Sequence, residues 1–415
     1  MTDTLFLQFY SRRKSTIYNL LNGFSDTYDL CRNHGDFVWM KDEPDSRHWY
    51  DYDRYAAKPL PISKGTIHVS ALDVNHLYQC WVWACQHPDI HFVVGGPVAS
   101  ECDIESPGWD PAYVRVEDPD AIPPNLTLTG KSVEQWFGID DFPGPWRLEI
   151  PTDIPAGSRI YFSYTLDNAC FWRRCIYCNI GLHDLRHVRR RRKMDFEFKA
   201  LDFEGTKLVR LNTGSIEPRL IRELFPALPC GNGFEYRTFM RAADAENRAL
   251  KEAIIDCGGR FPDMVLGFGV EYPTKRMLAH VDKGFGPDEI IQSMEICSEG
   301  GIRANGNAIV GWNNLTQQDV KELESFMKRL PTGAFKNMQL RWLLAHPRTA
   351  IHDQYRGRPI RFGPFYEGFS VELDDPQMIE LNRQSAEIFE HFASVKQYKL
   401  EGLENVRRHL QASNG

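Results

Sequence analysis

The stretch DNACFWRRCIYCNIG, residues 167–181, is where the reading of this chain begins. It holds Cys170, Cys175 and Cys178 within nine positions, whereas the other cysteines, at 31, 80, 85, 102, 230, 257 and 297, are scattered. Scattered cysteines in a reducing compartment are mostly small buried apolar residues. Three thiols together are a candidate metal site, because thiolates select zinc, copper(I) or iron–sulfur clusters. A structural zinc site wants a fourth Cys or His at short spacing, and His183 and His187 keep that option open. A four-iron cluster held by three thiolates instead leaves one iron without a protein ligand, free to bind a substrate or cosubstrate. The segment follows a predicted strand, on the loop at its C-terminal end, where βα barrels place their chemistry.

Working outward, strands are predicted at 159–166, 207–214, 235–242, 264–271, 303–312 and 337–346. The intervening stretches PRLIRELFPAL, NRALKEAIIDCGG, DEIIQSMEICSEGG and TQQDVKELESFMKRLP repeat apolar residues with helical period. Gly258–Gly259 and Gly300–Gly301 mark helix ends. Six βα units predict a parallel sheet curled into a partial (β/α)6 barrel rather than a full eight-unit one. Before it, TLFLQFY, GTIHVSAL, DVNHLYQCWVWACQHP, IHFVVGGPVAS and AYVRVEDPD alternate strand and helix more loosely, as in a small doubly wound α/β domain. The segment 42–65 reads as an irregular insertion and 347–370 as a stretch with neither period, followed by a closing helix over 375–395. The expected division is 1–150, 151–347 and a small, mainly α region over 348–415, for an α/β protein whose 415 residues exceed what one core supports.

Composition narrows the function. A hydrophobic content of 42% with 25% charged residues excludes a disordered or fibrous chain. The net charge of −7 disfavours a globally basic nucleic-acid binder. No run reaches the ~18 apolar residues of a membrane span, and the first residues lack a signal-peptide pattern. A cytoplasmic protein is expected. Arg186, His187 and the run Arg189–Lys193 follow the cysteine loop; such runs are mostly solvated faces, and the functional alternative is a counter-charge for an acidic partner.

Residues 155 to 345 resemble the radical S-adenosylmethionine superfamily. The family spacing is Cys-x3-Cys-x2-Cys; here four residues, Phe171 to Arg174, separate the first two cysteines. The resemblance implies that Cys170, Cys175 and Cys178 hold a 4Fe-4S cluster. It places Tyr177 against the adenine of S-adenosylmethionine, and Thr213 and Gly214, with Asn212, at the methionine amino group. Glu271 falls at the fourth strand's end, backbone near Ile309 and Gly311 approaches adenine, and Arg241 lies near the carboxylate or ribose. It also implies reductive cleavage to a 5′-deoxyadenosyl radical and a reductant such as a flavodoxin or ferredoxin.

Residues 1–150 resemble the cobalamin-binding domain of one large subgroup, on Gly95, Gly96 and Pro97 after a strand and, more loosely, on Glu117 and Asp118. The Asp-x-His-x-x-Gly lower-ligand motif is missing, and Asn33, His34 and Gly35 do not supply it. Either cobalamin binds without a histidine ligand, or the domain is a scaffold whose crevice is filled by aromatics such as Trp39, Trp81 and Trp83. The function expected from these signals is radical modification of a ribosomally made peptide or related natural product. The alternatives are cobalamin-dependent C-methylation, RNA modification and, from another class, a zinc-stabilised binding module.

Overall fold

The computed structural model describes residues 4–13, 17–20, 36–42, 60–71, 74–95, 115–129, 153–165, 170–178, 205–231 and 233–413. They divide into two compact units, one drawn from Met1–Tyr164, Lys193–Val209 and Ile360–Gly368, the other from Thr165–Arg192, Arg210–Pro359 and Phe369–Gly415.

The first unit contains β1 (Thr4–Arg13), β2 (Ile17–Leu20), β3 (Asp36–Asp42), β4 (Gly65–Ser70), α1 (Val74–Gln86), β5 (Ile90–Gly95), β6 (Arg115–Val116), β7 (Leu126–Leu128) and β8 (Arg159–Thr165), the last reaching it through Tyr164. Strands β3, β1, β4, β5 and β7 lie side by side, all parallel. β2 returns antiparallel to the end of β1 and pairs in parallel with β8, the strand expected to open the barrel. Leu5, Phe6 and Leu7 are buried in succession, as in a strand covered on both faces, whereas β4 and β5 bury alternate residues, Ile67 and Val69, Phe92 and Val94. Trp83 of α1 stacks on Phe92, and Trp81 donates to the Ala121 carbonyl at 2.9 Å, so both serve helix packing. The Asn125 amide joins the end of α1 to β5 through the carbonyls of Ala84, His87 and Ile90. Among the described residues of AYVRVEDPD, β6 pairs antiparallel with Phe365 and Tyr366, while Glu117 forms an ion pair with Arg361.

The second unit takes up β9 (Thr206–Asn212) from Arg210 and continues through α2 (Pro218–Leu224), β10 (Phe234–Met240), α3 (Asp244–Asp256), β11 (Met264–Glu271), α4 (Lys275–His280) and α5 (Pro287–Glu299). Then come β12 (Arg303–Val310), α6 (Gln317–Arg329), β13 (Asn337–Trp342), β14 (Leu344–Ala345), α7 (Ala350–Gln354), β15 (Gly357–Phe362), β16 (Phe365–Val371), α8 (Pro376–Val395), β17 (Lys399–Glu401) and α9 (Leu403–Ala412), with Ile360–Gly368 of β15 and β16 counted in the first unit. The strand order is β9–β10–β11–β12–β13–β17, parallel from β10 onward, in a curled half-barrel. Local chemistry starts the helices: Thr316 and Asp319 form a reciprocal capping box on α6, and Asp375 caps α8 ahead of Pro376.

The segment 347–370, expected to lack strand period, contains β15 and most of β16. All seven residues of β16 are buried, so its sequence has no polar face to alternate with an apolar one. The closing region likewise carries β17 and α9 beyond the expected helix. Among the described residues no helix is long and apolar enough to cross a membrane.

Asn382 of α8 is fully buried and ties that helix to the turn after β12. Its Oδ1 accepts from the Gly311 and Trp312 amides at 2.6 and 3.1 Å, and its Nδ2 donates to the Trp312 and Met378 carbonyls. Asn382→Ala strands buried backbone groups and should cost about 2–3 kcal/mol, read as a lower urea midpoint at unchanged slope. His409 stacks on Trp342 at 5.1 Å, and burial, with Arg408 and Arg358, pushes its pKa down to about 4. The unfolded chain takes up that proton near 6.5, so stability present above that pH should fall as pH drops toward 4. His409→Phe should flatten this part of a melting-temperature profile.

Candidate functional site

The cysteine loop lies against the C-terminal edge of the half-barrel. Cys170 makes a parallel bridge to Ser215, just beyond β9, and the Cys178 amide donates to the Cys175 carbonyl at 3.1 Å. Arg173, at φ 56°, turns the chain between the first two cysteines, accommodating the extra residue there.

A strap at Val281–Phe285, following α4, holds this loop. The Ile176 amide donates to the Val281 carbonyl, the Trp172 indole to the Asp282 carbonyl at 2.6 Å, and Arg174 pairs with the Asp282 carboxylate at 2.9 Å. Gly284 has φ +69°, and a Cβ there would stand 2.3 Å from the Trp172 ring, so two constraints demand glycine. Arg241 joins the layers: it donates to Glu246 at 3.0 Å and to the Lys283 carbonyl at 2.8 Å, with its guanidinium 3.8 Å from the Trp172 ring centre.

At the centre is a buried ion pair, Lys283 Nζ to Glu271 Oε1, at 2.8 Å. Glu271 has φ 54°, and a Cβ at Gly269 would lie 2.3 Å from its carboxylate and 2.7 Å from Nζ. Burial alone would lower the Lys283 ammonium's pKa, but Glu271, Cys175 and Cys178 hold it above its ordinary value. Burial pushes the Cys175 thiol up to about 12, with Cys178, Glu271 and Cys170 adding and Lys283 opposing. Burial and Glu271 likewise raise the Tyr177 phenol. Tyr177 meets Trp312 edge-on at 6.4 Å, and the Trp312 indole donates to the Ile309 carbonyl at 2.9 Å.

The structure therefore brings Tyr177, Glu271 and the three cysteines into mutual electrostatic range. Thr213, buried, donates to the Ser215 carbonyl at 3.3 Å, with Gly214 half-buried beside it. Gly311, at φ 96°, sits 2.9 Å from Trp342 by its notional Cβ. Arg241 is committed to Glu246 and the strap, although its buried Nε has no hydrogen-bond partner among the described residues. In the first unit, Gly95 ends β5 and its carbonyl accepts from Ala71. Gly96, His183, His187 and the run Arg189–Lys193 lie outside the described residues, as does the side chain of Trp39. Sequence reasoning missed Lys283, Asp282 and Trp172; the GFG repeats of MVLGFGVE and KGFG were the available signal.

Among the described residues no three His, Cys, Asp or Glu side chains crowd together as ligands of a single ion would. A cubane takes each thiolate on a different iron and spaces them more widely. Three partly exposed thiols, two of them in electrostatic range of Lys283, with an Arg241 Nε that has no partner among the described residues, fit such an anionic, thiolate-held group.

Lys283→Met leaves the Glu271 carboxylate buried without its counter-ion and should cost about 3–5 kcal/mol by chemical denaturation. Adding Glu271→Gln removes that charge and should recover most of the loss; equal losses in single and double variants would contradict the pairing.

No protein-family model matches the chain, and no curated protein matches it in sequence. Solved structures do resemble it. OxsB, a cobalamin-dependent S-adenosylmethionine radical enzyme with aqua-cobalamin bound, aligns at a TM-score of 0.56 and 12% identity, over 94% of this chain and 67% of that one. Its apo, selenomethionine-labelled form aligns at 0.50 and 15% identity, over 79% and 52%. The radical S-adenosylmethionine methyltransferase TsrM from Kitasatospora setae, with cobalamin and a 4Fe-4S cluster bound, aligns at 0.47 and 13% identity, over 85% and 78%. At these identities the likeness is one of fold, and the fold this chain shares is that of OxsB.

Proposed function

We propose that this chain is a radical S-adenosylmethionine enzyme. The observation that carries the reading is the three-cysteine loop clamped by the 281–285 strap at the C-terminal edge of a parallel half-barrel. Cys170, Cys175 and Cys178 would hold a 4Fe-4S cluster, which when bound supplies one-electron reduction of S-adenosylmethionine. Lys283 offsets the charge that builds up when the thiols ionise, and Arg241 positions the strap that presents it. The edge-on pair Tyr177 and Trp312 would line the site with aromatic surface. Thr213, Gly214, Glu271, Ile309 and Gly311 would contact the cosubstrate. The electron would come from a small reductant such as a flavodoxin or ferredoxin.

The likeness to OxsB extends over 94% of the chain and so supports a cobalamin-binding role for the parallel first sheet, with Gly95 at its carboxyl edge. Cobalamin-dependent methyl transfer to a natural-product or peptide substrate is then the finer reading. Peptide modification without a corrin rests on the missing Asp-x-His-x-x-Gly motif.

Two measurements test this. The Cys170/Cys175/Cys178→Ala variant, reconstituted anaerobically, should lose its iron and its 5′-deoxyadenosine formation with dithionite; full iron retention would reject the ligand assignment. Hydroxocobalamin added to the wild-type chain should bind stoichiometrically with a spectrum lacking a nitrogen lower ligand. Absence of uptake would favour the corrin-free reading.

A further inference from the structure

The two faces of the half-barrel sheet differ in chemistry. On one, Tyr236, Met240, Met264, Leu266, Phe268, Val270, Ala308, Val310, Met338 and Leu340 are almost wholly buried, and helices pack there. Register places the alternate residues on the opposite face in rows. Phe239 pairs with Gly267, Gly267 with Asn305 and Asn305 with Asn337; Gly269 pairs with Asn307 and Asn307 with Gln339; Ile309 pairs with Arg341. A packed barrel interior would carry layers of branched apolar side chains. This face carries carboxamides and two glycines, and its members are mostly half-buried or exposed.

Three details make this face a receptor. Phe239 is 36% exposed, one of few large apolar side chains so open among the described residues. Gly267 gives it room, since a Cβ there would lie 2.7 Å from its ring. The Arg210 guanidinium sits 5.6 Å from the Phe239 ring centre. Lower on the same face, Glu235 engages both Arg237 and Arg303 at 2.9 Å, whereas no ion pair links Arg210 to a carboxylate among the described residues. Buried Oδ1 atoms of Asn305 and Asn337 also lack hydrogen-bond partners among them. The rows lead directly to Glu271 and Ile309 beside the cysteine loop.

We infer that this face binds a substrate carrying a carboxylate next to a flat, stackable group, the carboxylate on Arg210 and the flat group on Phe239. Asn305, Asn307 and Gln339 would read its polar edges. The inference rests on the proposed reaction site only for its purpose; binding here needs neither cluster nor cosubstrate.

Benzoate and its neutral isostere benzamide are suitable probes, measured by ligand-observed NMR on the full chain. Benzoate should bind about tenfold more tightly than benzamide, the worth of a charge-assisted hydrogen bond. Arg210→Gln should abolish that preference, Arg210→Lys should retain part of it, and Phe239→Ala should weaken both probes. Arg329→Gln, on the far helix α6, should change nothing. Equal binding of the two probes, a preference that survives Arg210→Gln, or an equal loss in Arg329→Gln would overturn the inference. Failure here with iron binding and 5′-deoxyadenosine formation intact would leave the proposed reaction standing.

Discussion

The buried pair between Lys283 and Glu271 is the contact on which the site is organised. A carboxylate and an ammonium removed from water are stable together only at close range and in good geometry. That requirement reaches backward into the backbone. Gly269 has no side chain because one would occupy the carboxylate's place, and Glu271 adopts a left-handed φ that ends β11. It also reaches outward: the strap carrying Lys283 supplies the carbonyls that hold Trp172 and Arg241, and through them the cysteine loop. A lysine so placed is a fixed positive charge beside the Cys175 thiol, whose ionisation burial opposes.

The sheet that carries this pair is two-faced. Helices cover one face and exclude water, so that face is apolar and supplies the cohesion. The other face is relieved of packing and is free to be polar. Asn382 and Gly311 show the cost of this economy at the upper edge, where one buried amide satisfies both turn amides after β12 and fixes the position of Trp312.

Much of the fold was legible in the residues because its periods are local. The strands at 159, 207, 235, 264, 303 and 337 appear within a residue or two of their expected starts; the four expected helices are also present, with α3 beginning three residues early and the short α4 an addition. The partners of those strands were less legible. AYVRVEDPD was expected in the doubly wound sheet, yet β6 pairs with Phe365 and Tyr366 in a separate sheet, a partner far along the chain that no local pattern marks. β16 was invisible to any periodicity since tertiary contacts bury both its faces.

For the site, spacing alone singled out Cys170, Cys175 and Cys178, because ligands of one group must be gathered and here the loop gathers them in nine positions. The resemblance added Tyr177, Thr213 and Glu271 by pattern. Lys283, Asp282 and the Arg210–Phe239 pair came from tertiary structure, since each meets its partner across a turn or an intervening element. A charge pair or a ring contact leaves no period to read, and the glycines of MVLGFGVE and KGFG were the one trace of the Lys283–Glu271 pair in the sequence. The sequence by itself determined the βα order and the thiol cluster, both consequences of neighbouring residues. Tertiary structure decided which buried charge faces the thiols and which face of the sheet stays polar, because burial and electrostatics act through space rather than along the chain.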